Sequence, residues 1–172
     1  MTQASTAQLQ SPSESAGGGT RPDPTFRMLA RTYGLLKRVA EAHFSPFGIS
    51  PSQWGILITL HRAEQEEPGG LRLTDLGDRL LVRPPSVSGV VERLERMGLI
   101  KREPCNEDAR AKRVSLTTAG RTLADRVLET MPDYVEKILA DLSASDRQTL
   151  RGLLERISSR LEIMIASPAA GD

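Results

Sequence analysis

The chain has 172 residues, with 23 Lys and Arg against 22 Asp and Glu, and a formal charge of +1. A single cysteine excludes an intramolecular disulfide framework, and no apolar run is long enough to span a bilayer. So balanced a charge excludes a protein that holds polyanions through bulk charge, so any affinity for nucleic acid must come from a local patch.

Residues 1–24 are rich in Ser, Thr, Gln, Gly and Ala and include Gly17-Gly18-Gly19. Such a segment buries too little apolar surface to order itself, so it reads as a disordered tail. It lacks the apolar core of a signal peptide, which makes a cytoplasmic protein with no membrane partner the expectation. A helix is expected over 26–44, with Phe26, Leu29, Tyr33, Leu36 and Ala40 on one stripe. Ser50-Pro51-Ser52-Gln53 then forms a capping box with proline at the first helical position, and the helix it launches runs to His61.

The stretch from 71 to 120 carries the functional signal. Thr74 is the expected N-cap of a short helix in which Leu76 and Leu80 repeat at helical spacing, ending near Val82. Arg83-Pro84-Pro85-Ser86 breaks that helix and starts another, because proline cannot continue a helix but suits its first turn. Val87, Val90, Val91, Leu94 and Met97 share one face of the new helix, and Ser86, Ser88, Gly89, Glu92, Arg93 and Arg96 share the other. Gly98 is a left-handed stop. Two β-rich runs, 99–103 and 111–116, flank a polar turn and read as a hairpin.

Beyond the hairpin, Thr117 or Thr118 starts a long helix with Leu123, Val127, Met131, Tyr134, Ile138 and Leu142 in line, which Pro132 should kink or break. Ser143-Ala144-Ser145-Asp146 caps a last helix carrying Leu150, Leu153, Leu154, Ile157, Leu161 and Met164. The terminal helices bear apolar faces wider than one stripe. Such faces pack either on each other within one subunit or against a second copy of the chain.

Helix, turn, helix and basic hairpin is the order in which a winged helix offers one helix to the DNA major groove and a β-loop to the flanking backbone. Between Arg83 and Arg113 there are eight Lys or Arg against five Asp or Glu, so the positive excess is concentrated in this segment. A solvated charged face is the bland alternative, and the accompanying topology favours DNA.

The residues LTDLGDRLLVRPPSVSGVVERLERMGLIKRE, followed by EDARAKRVSLTTAG, resemble the multiple-antibiotic-resistance regulators, the MarR family. The resemblance covers about 25–166. Its most specific part is the wing, where Asp108-Ala109-Arg110 matches a D-x-R pattern and Leu116 to Gly120 matches L-T-x-A-G. It implies a mainly α fold with a small β-hairpin wing, comprising a winged helix-turn-helix domain and a helical dimerisation region. On that plan 25–49 is a dimerisation helix, 50–117 the DNA-binding domain, 118–166 the C-terminal dimerisation helices and 167–172 a disordered tail. The implied function is transcriptional repression by a homodimer on a pseudo-palindromic operator, relieved by a small effector.

Carried across by position, the resemblance sets Pro85, Ser86, Ser88 and Gly89 nearest base edges and sugars. Arg93 and Arg96 lie nearer the phosphates or are exposed, with Thr74, Arg83, Pro84 and Lys112 as further DNA contacts. Arg110 enters the minor groove, where narrow A·T-rich segments concentrate negative potential, and Asp108 orients it. Where the family usually has Ser or Thr and then often a basic residue, this chain has Arg83 and Pro84. The usual side-chain cap is therefore missing, and small first-turn residues leave more of specificity to shape and backbone contacts. The effector implied is an aromatic acid or phenol, with Tyr33 and Trp54 as walls, Leu57 beside them and Lys37 or Arg38 for a carboxylate. On pattern alone, Tyr33 and Trp54 read first as core.

Other classes are weaker. A winged helix could bind protein in place of DNA, and Cys105, near Lys101 and Arg102, could act as a redox sensor. The family's sensing cysteines lie in the first helix, where this chain has none, so an incidental thiol is the better reading. His43 and His61 read as surface or capping residues. Two histidines and one cysteine far apart make no zinc signature, and no P-loop, dinucleotide fingerprint or nucleophile elbow is present, so neither a cofactor nor an enzyme is expected.

Overall fold

The computed structural model describes residues 23–66, 69–80, 84–104 and 112–167. The chain divides into two units after Lys37, a boundary that falls inside the first helix, α1 (Pro24–Phe44). Within the first unit α1 is exposed along its length, including Phe26, Met28, Leu29, Tyr33, Leu35 and Leu36. Its start lies two residues earlier than the apolar stripe predicts. The Asp23 carboxylate accepts from the backbone N–H groups of Thr25 and Phe26, at 2.7 and 3.2 Å, and so satisfies two otherwise unpaired donors.

The second unit continues from Arg38. A 3-10 turn (Ser45–Phe47) leads to α2 (Pro51–Glu66), which is longer than its sequence pattern suggests. The capping box forms as expected: Ser50 N–H donates to Gln53 Oε1 at 2.8 Å, and Gln53 N–H to Ser50 Oγ at 3.3 Å. Then come β1 (Leu71–Arg72), α3 (Leu73–Leu80), α4 (Pro84–Arg96), β2 (Ile100–Pro104), β3 (Lys112–Leu116), α5 (Thr118–Ile138) and α6 (Ala144–Ala166).

The sheet has three antiparallel strands in the order β1-β3-β2, so the expected hairpin gains a strand. Ile100 pairs with Leu116 and Arg102 with Val114, while Leu71 pairs with Val114 from the other side. With a period of two, this register turns Ile100, Val114 and Leu116 inward together, all 2% exposed or less. They meet Ile56, Leu57 and Leu60 of α2, Leu76 of α3, Val87, Val91 and Leu94 of α4, and Ala124 and Val127 of α5 in one core. Each such Val, Leu or Ile contributes roughly 1.5–3 kcal/mol through burial.

Two glycines mark where the backbone leaves no room. A Cβ on Gly120 would lie 2.0 Å from the Leu99 carbonyl oxygen, and one on Gly70 would lie 2.5 Å from that of Val114. Gly70 also has φ of 76°, in the left-handed region. Gly98 stops α4 with φ of 69°, as expected. Thr117 caps α5: its hydroxyl donates to Gly98 O at 2.7 Å and accepts from Gly120 N–H at 3.1 Å.

Three expectations need correction. Thr74 is not an N-cap; it lies inside α3, which starts at Leu73, and its hydroxyl donates to Asp75 Oδ1 at 3.2 Å. α5 runs through Pro132 and ends at Ile138, so Leu142 belongs to the turn before α6. His43 and His61 are half-buried and engage α5: the His43 ring stacks on Tyr134 at 4.0 Å, and His61 Nε2 lies 3.0 Å from Asp125 Oδ1. The cap of α6 forms as the sequence predicts, with Ser143 and Asp146 bonded reciprocally.

Candidate nucleic-acid interface

The core fixes the orientation of α4. Val87, Val91 and Leu94 follow at i, i+4 and i+7, and all three are 2% exposed or less. Burying that stripe turns Gly89, Glu92, Arg93 and Arg96 to solvent and leaves Ser88 half-buried beside them. Around a Cβ built on Gly89 nothing lies within 4 Å, so the first turns of this face are open to a close-approaching surface. Pro84 opens the helix, as the sequence suggests, and Pro85 and Ser86 follow in the first turn.

Several contacts hold α4 in place. At its C-terminal end, Gln53 is a buried polar side chain whose Nε2 donates to Met97 Sδ at 3.3 Å, joining the α2 cap to the end of α4. On the strand side, Arg102 of β2 places Nε 3.2 Å from Glu95 Oε2, an ion pair without hydrogen-bond alignment. The Thr117 hydroxyl closes the same end through Gly98 O. Gln53 and Met97 lie 44 residues apart, and no local pattern announces the tethers themselves, although Gln53 carries a sequence signal as part of a capping box and Thr117 as one of two candidate starts of α5.

The wing stem presents a basic margin. Lys112 is exposed at the start of β3, and Lys101 pairs with Glu103 at 2.7 Å on β2. Arg113 is turned back, donating from Nη1 to Gly70 O at 3.0 Å, which fastens β1 to the sheet. The structure therefore brings Ser88, Gly89 and Arg93 onto one helix face and sets Lys112 on the stem, with Thr74 exposed on α3. Arg83, Asp108, Arg110 and Cys105 lie outside the described residues, as do the side chains of Pro84, Pro85 and Ser86.

The four positions expected around an effector differ in exposure. Tyr33 and Lys37 are exposed, Trp54 is 8% exposed and stacks on Phe44 at 5.6 Å, and Leu57 is fully buried. Trp54 and Leu57 thus spend their surface on the core. An open groove of about 670 Å³ follows α6, lined by Leu139, Arg147, Leu150, Arg151 and Leu154 among others, and it includes none of those four. Among the described residues, no helix is long and apolar enough to cross a membrane.

Comparison with known proteins bears on this geometry. The model of the MarR family matches residues 47–111, from the end of the 3-10 turn that follows α1 to just before β3. The HTH-type transcriptional regulator PecS of Dickeya dadantii (strain 3937) is 29% identical over 133 residues, which cover 77% of this chain and 79% of PecS. A probable transcriptional regulator from Pseudomonas aeruginosa is 33% identical, with a TM-score of 0.67 over 80% of this chain and 99% of that structure. MepR of S. aureus, solved in complex with DNA, is 26% identical with a TM-score of 0.69, over 79% of this chain and 95% of MepR.

Proposed function

This chain belongs to the MarR family, a DNA-binding transcriptional regulator built on a winged helix, and from that premise we propose that it is a cytoplasmic repressor acting as a homodimer on a pseudo-palindromic operator. The observation that carries the reading is the division of α4: Val87, Val91 and Leu94 are consumed by the core, leaving Ser88, Gly89, Arg93 and Arg96 to face a groove. Small first-turn residues let the helix backbone approach the DNA closely, while Arg93 and Arg96 meet phosphates. Arg110, oriented by Asp108, reads the adjacent minor groove, and Arg83, Pro85 and Lys112 complete the contact.

Support for the homodimer comes from apolar surface that one copy leaves open. α6 has no buried residue, yet carries Leu150, Leu153, Leu154, Ile157, Leu161, Ile163 and Met164 exposed; in α1, Phe26, Met28, Leu29 and Tyr33 are exposed as well. A monomer rarely exposes so much apolar surface. Two copies related by a two-fold axis address half-sites about one helical turn, ~34–36 Å, apart. Relief of repression by an aromatic acid or phenol completes the proposal.

The test is a gel shift with full-length protein and the DNA upstream of its own gene, against scrambled competitor and across a salt series. Competitor-resistant binding whose log K falls with log salt, by about 0.9 per phosphate contact, is expected. Equal weak binding to both DNAs, with little salt dependence, would favour a winged helix that binds protein. Sedimentation at the same concentrations should give two chains per particle, and a monomer would refute the assembly.

A further inference from the structure

α5 and α6 are joined by residues 139–143, and one side chain holds that corner. Arg147, in the first turn of α6, uses all three guanidinium nitrogens. Nη1 and Nη2 donate to Glu136 Oε2 and Oε1 at 2.8 and 2.7 Å; Nη2 also donates to Leu139 O at 2.9 Å, and Nε to Leu142 O at 3.1 Å. Leu139 O, at the C-cap of α5, also accepts from Leu142 N–H at 3.0 Å, and Leu142 O belongs to the turn that follows. The same fork therefore closes α5, ties down the turn and grips the last turns of α5 through a bidentate carboxylate.

Stability alone does not account for this arrangement. Glu136 is largely exposed and Arg147 partly so, and exposed ion pairs contribute ~0–1 kcal/mol. Four directed bonds from one planar group instead fix an angle. The first half of α5 is anchored in the core of the DNA-binding part through the fully buried Ala124 and Val127, its last turn leaves Val135 and Ile138 exposed, and α6 buries nothing and presents an apolar face. The corner thus joins the part that reads DNA to the part that would meet a second copy.

We propose that Arg147 is a positioning residue that sets the separation between the two DNA-reading surfaces of the dimer, and so selects operator half-site spacing; this rests on the homodimer reading above. The lever is long. The 21 residues of α5 span ~31 Å, so a change of about 5° at the corner moves the far end by about 3 Å. That is close to one base-pair step of ~3.4 Å. Lysine keeps the charge but has no rigid fork, so it cannot hold two carbonyls and both carboxylate oxygens in one plane.

To test this, full-length protein selects bound duplexes from a randomised pool, and the selected site is rebuilt with its half-sites one base pair closer and one base pair farther apart. Wild type should prefer its selected spacing by about tenfold or more. Arg147→Lys should remain a folded dimer by circular dichroism and sedimentation while its spacing preference falls to about threefold or less. Glu136→Gln, which keeps one acceptor oxygen, should fall between the two. A dimeric Arg147→Lys with the wild-type spacing profile overturns the inference and leaves the homodimer standing. Selection of single half-sites by a monomeric wild type overturns both.

Discussion

α4 and α6 are both amphipathic helices, yet they dispose of their apolar residues in opposite ways. α4 buries Val87, Val91 and Leu94 almost completely, while α6, ten residues longer, buries none of its own. The difference separates two kinds of specification. α4 is oriented by this chain alone, so its outer face is fixed before any ligand arrives. α6 carries the same sort of stripe but leaves it exposed in the single chain. Pattern in the sequence reveals that a stripe exists; only packing reveals where it is spent.

Substitutions in the two regions should break apart along that line. The largest loss is expected at Gly120, whose Cβ would collide with the Leu99 carbonyl at 2.0 Å. Gly120→Val should destabilise folding by about 3 kcal/mol or more, because rigid backbone cannot yield; denaturant titration measures it. Leu94→Ala should cost about 2–5 kcal/mol, since a fully buried side chain leaves a cavity. By contrast, Leu154→Ala on α6 should act mainly on association, so its unfolding midpoint should fall as the protein is diluted. Equal behaviour of Leu94→Ala and Leu154→Ala across a hundredfold concentration range would erase the distinction between the two helices.

Smaller effects sharpen the same contrast. Arg110→Ala should weaken operator binding by roughly 1–3 kcal/mol, without loss of folding, in a filter-binding or gel-shift titration. The α5–α6 corner should respond to acid. Hydrogen bonds from Arg147 hold the Glu136 carboxyl below its ordinary value, and bonds to Ser143 do the same for Asp146. A carboxyl depressed in the folded state gives stability that is present above its unfolded pKa and lost as pH falls through the lower, folded one. Amide protection in residues 139–147, corrected for the intrinsic pH dependence of exchange, should therefore fall below the ordinary carboxylate range and stay flat from pH 6 to 8. Arg147→Ala should raise exchange there at neutral pH and remove the part of the acid response that belongs to Glu136.

Much of the fold was readable because its signals are local. The two capping boxes, the proline start of α4, the left-handed Gly98 and the alternation along β3 each occupy a few consecutive residues. The strand β1 was missed because two residues carry no periodicity; it exists through its pairing with Val114 and Arg113, some forty residues on. Thr74 was misread because a threonine before an apolar helix looks like a cap, whereas α3 begins one residue earlier. At the interface, the outward face of α4 follows from its stripe. The tethers Gln53 to Met97 and Arg102 to Glu95 do not, since each joins two elements whose proximity only the tertiary fold creates.

The single hydroxyl of Thr117 serves two helices, donating to Gly98 O just past the end of α4 and accepting from Gly120 N–H in the first turn of α5. Their ends consequently cannot fray independently. Opening the last turn of α4 costs α5 its cap, and opening the first turn of α5 frees the Gly98 carbonyl. The two should exchange amide hydrogens as one cooperative unit, so that motion in α5 arrives at α4 without crossing the core. A serine would preserve that synchrony; a valine, equal in size and lacking the hydroxyl, would let each helix breathe on its own clock.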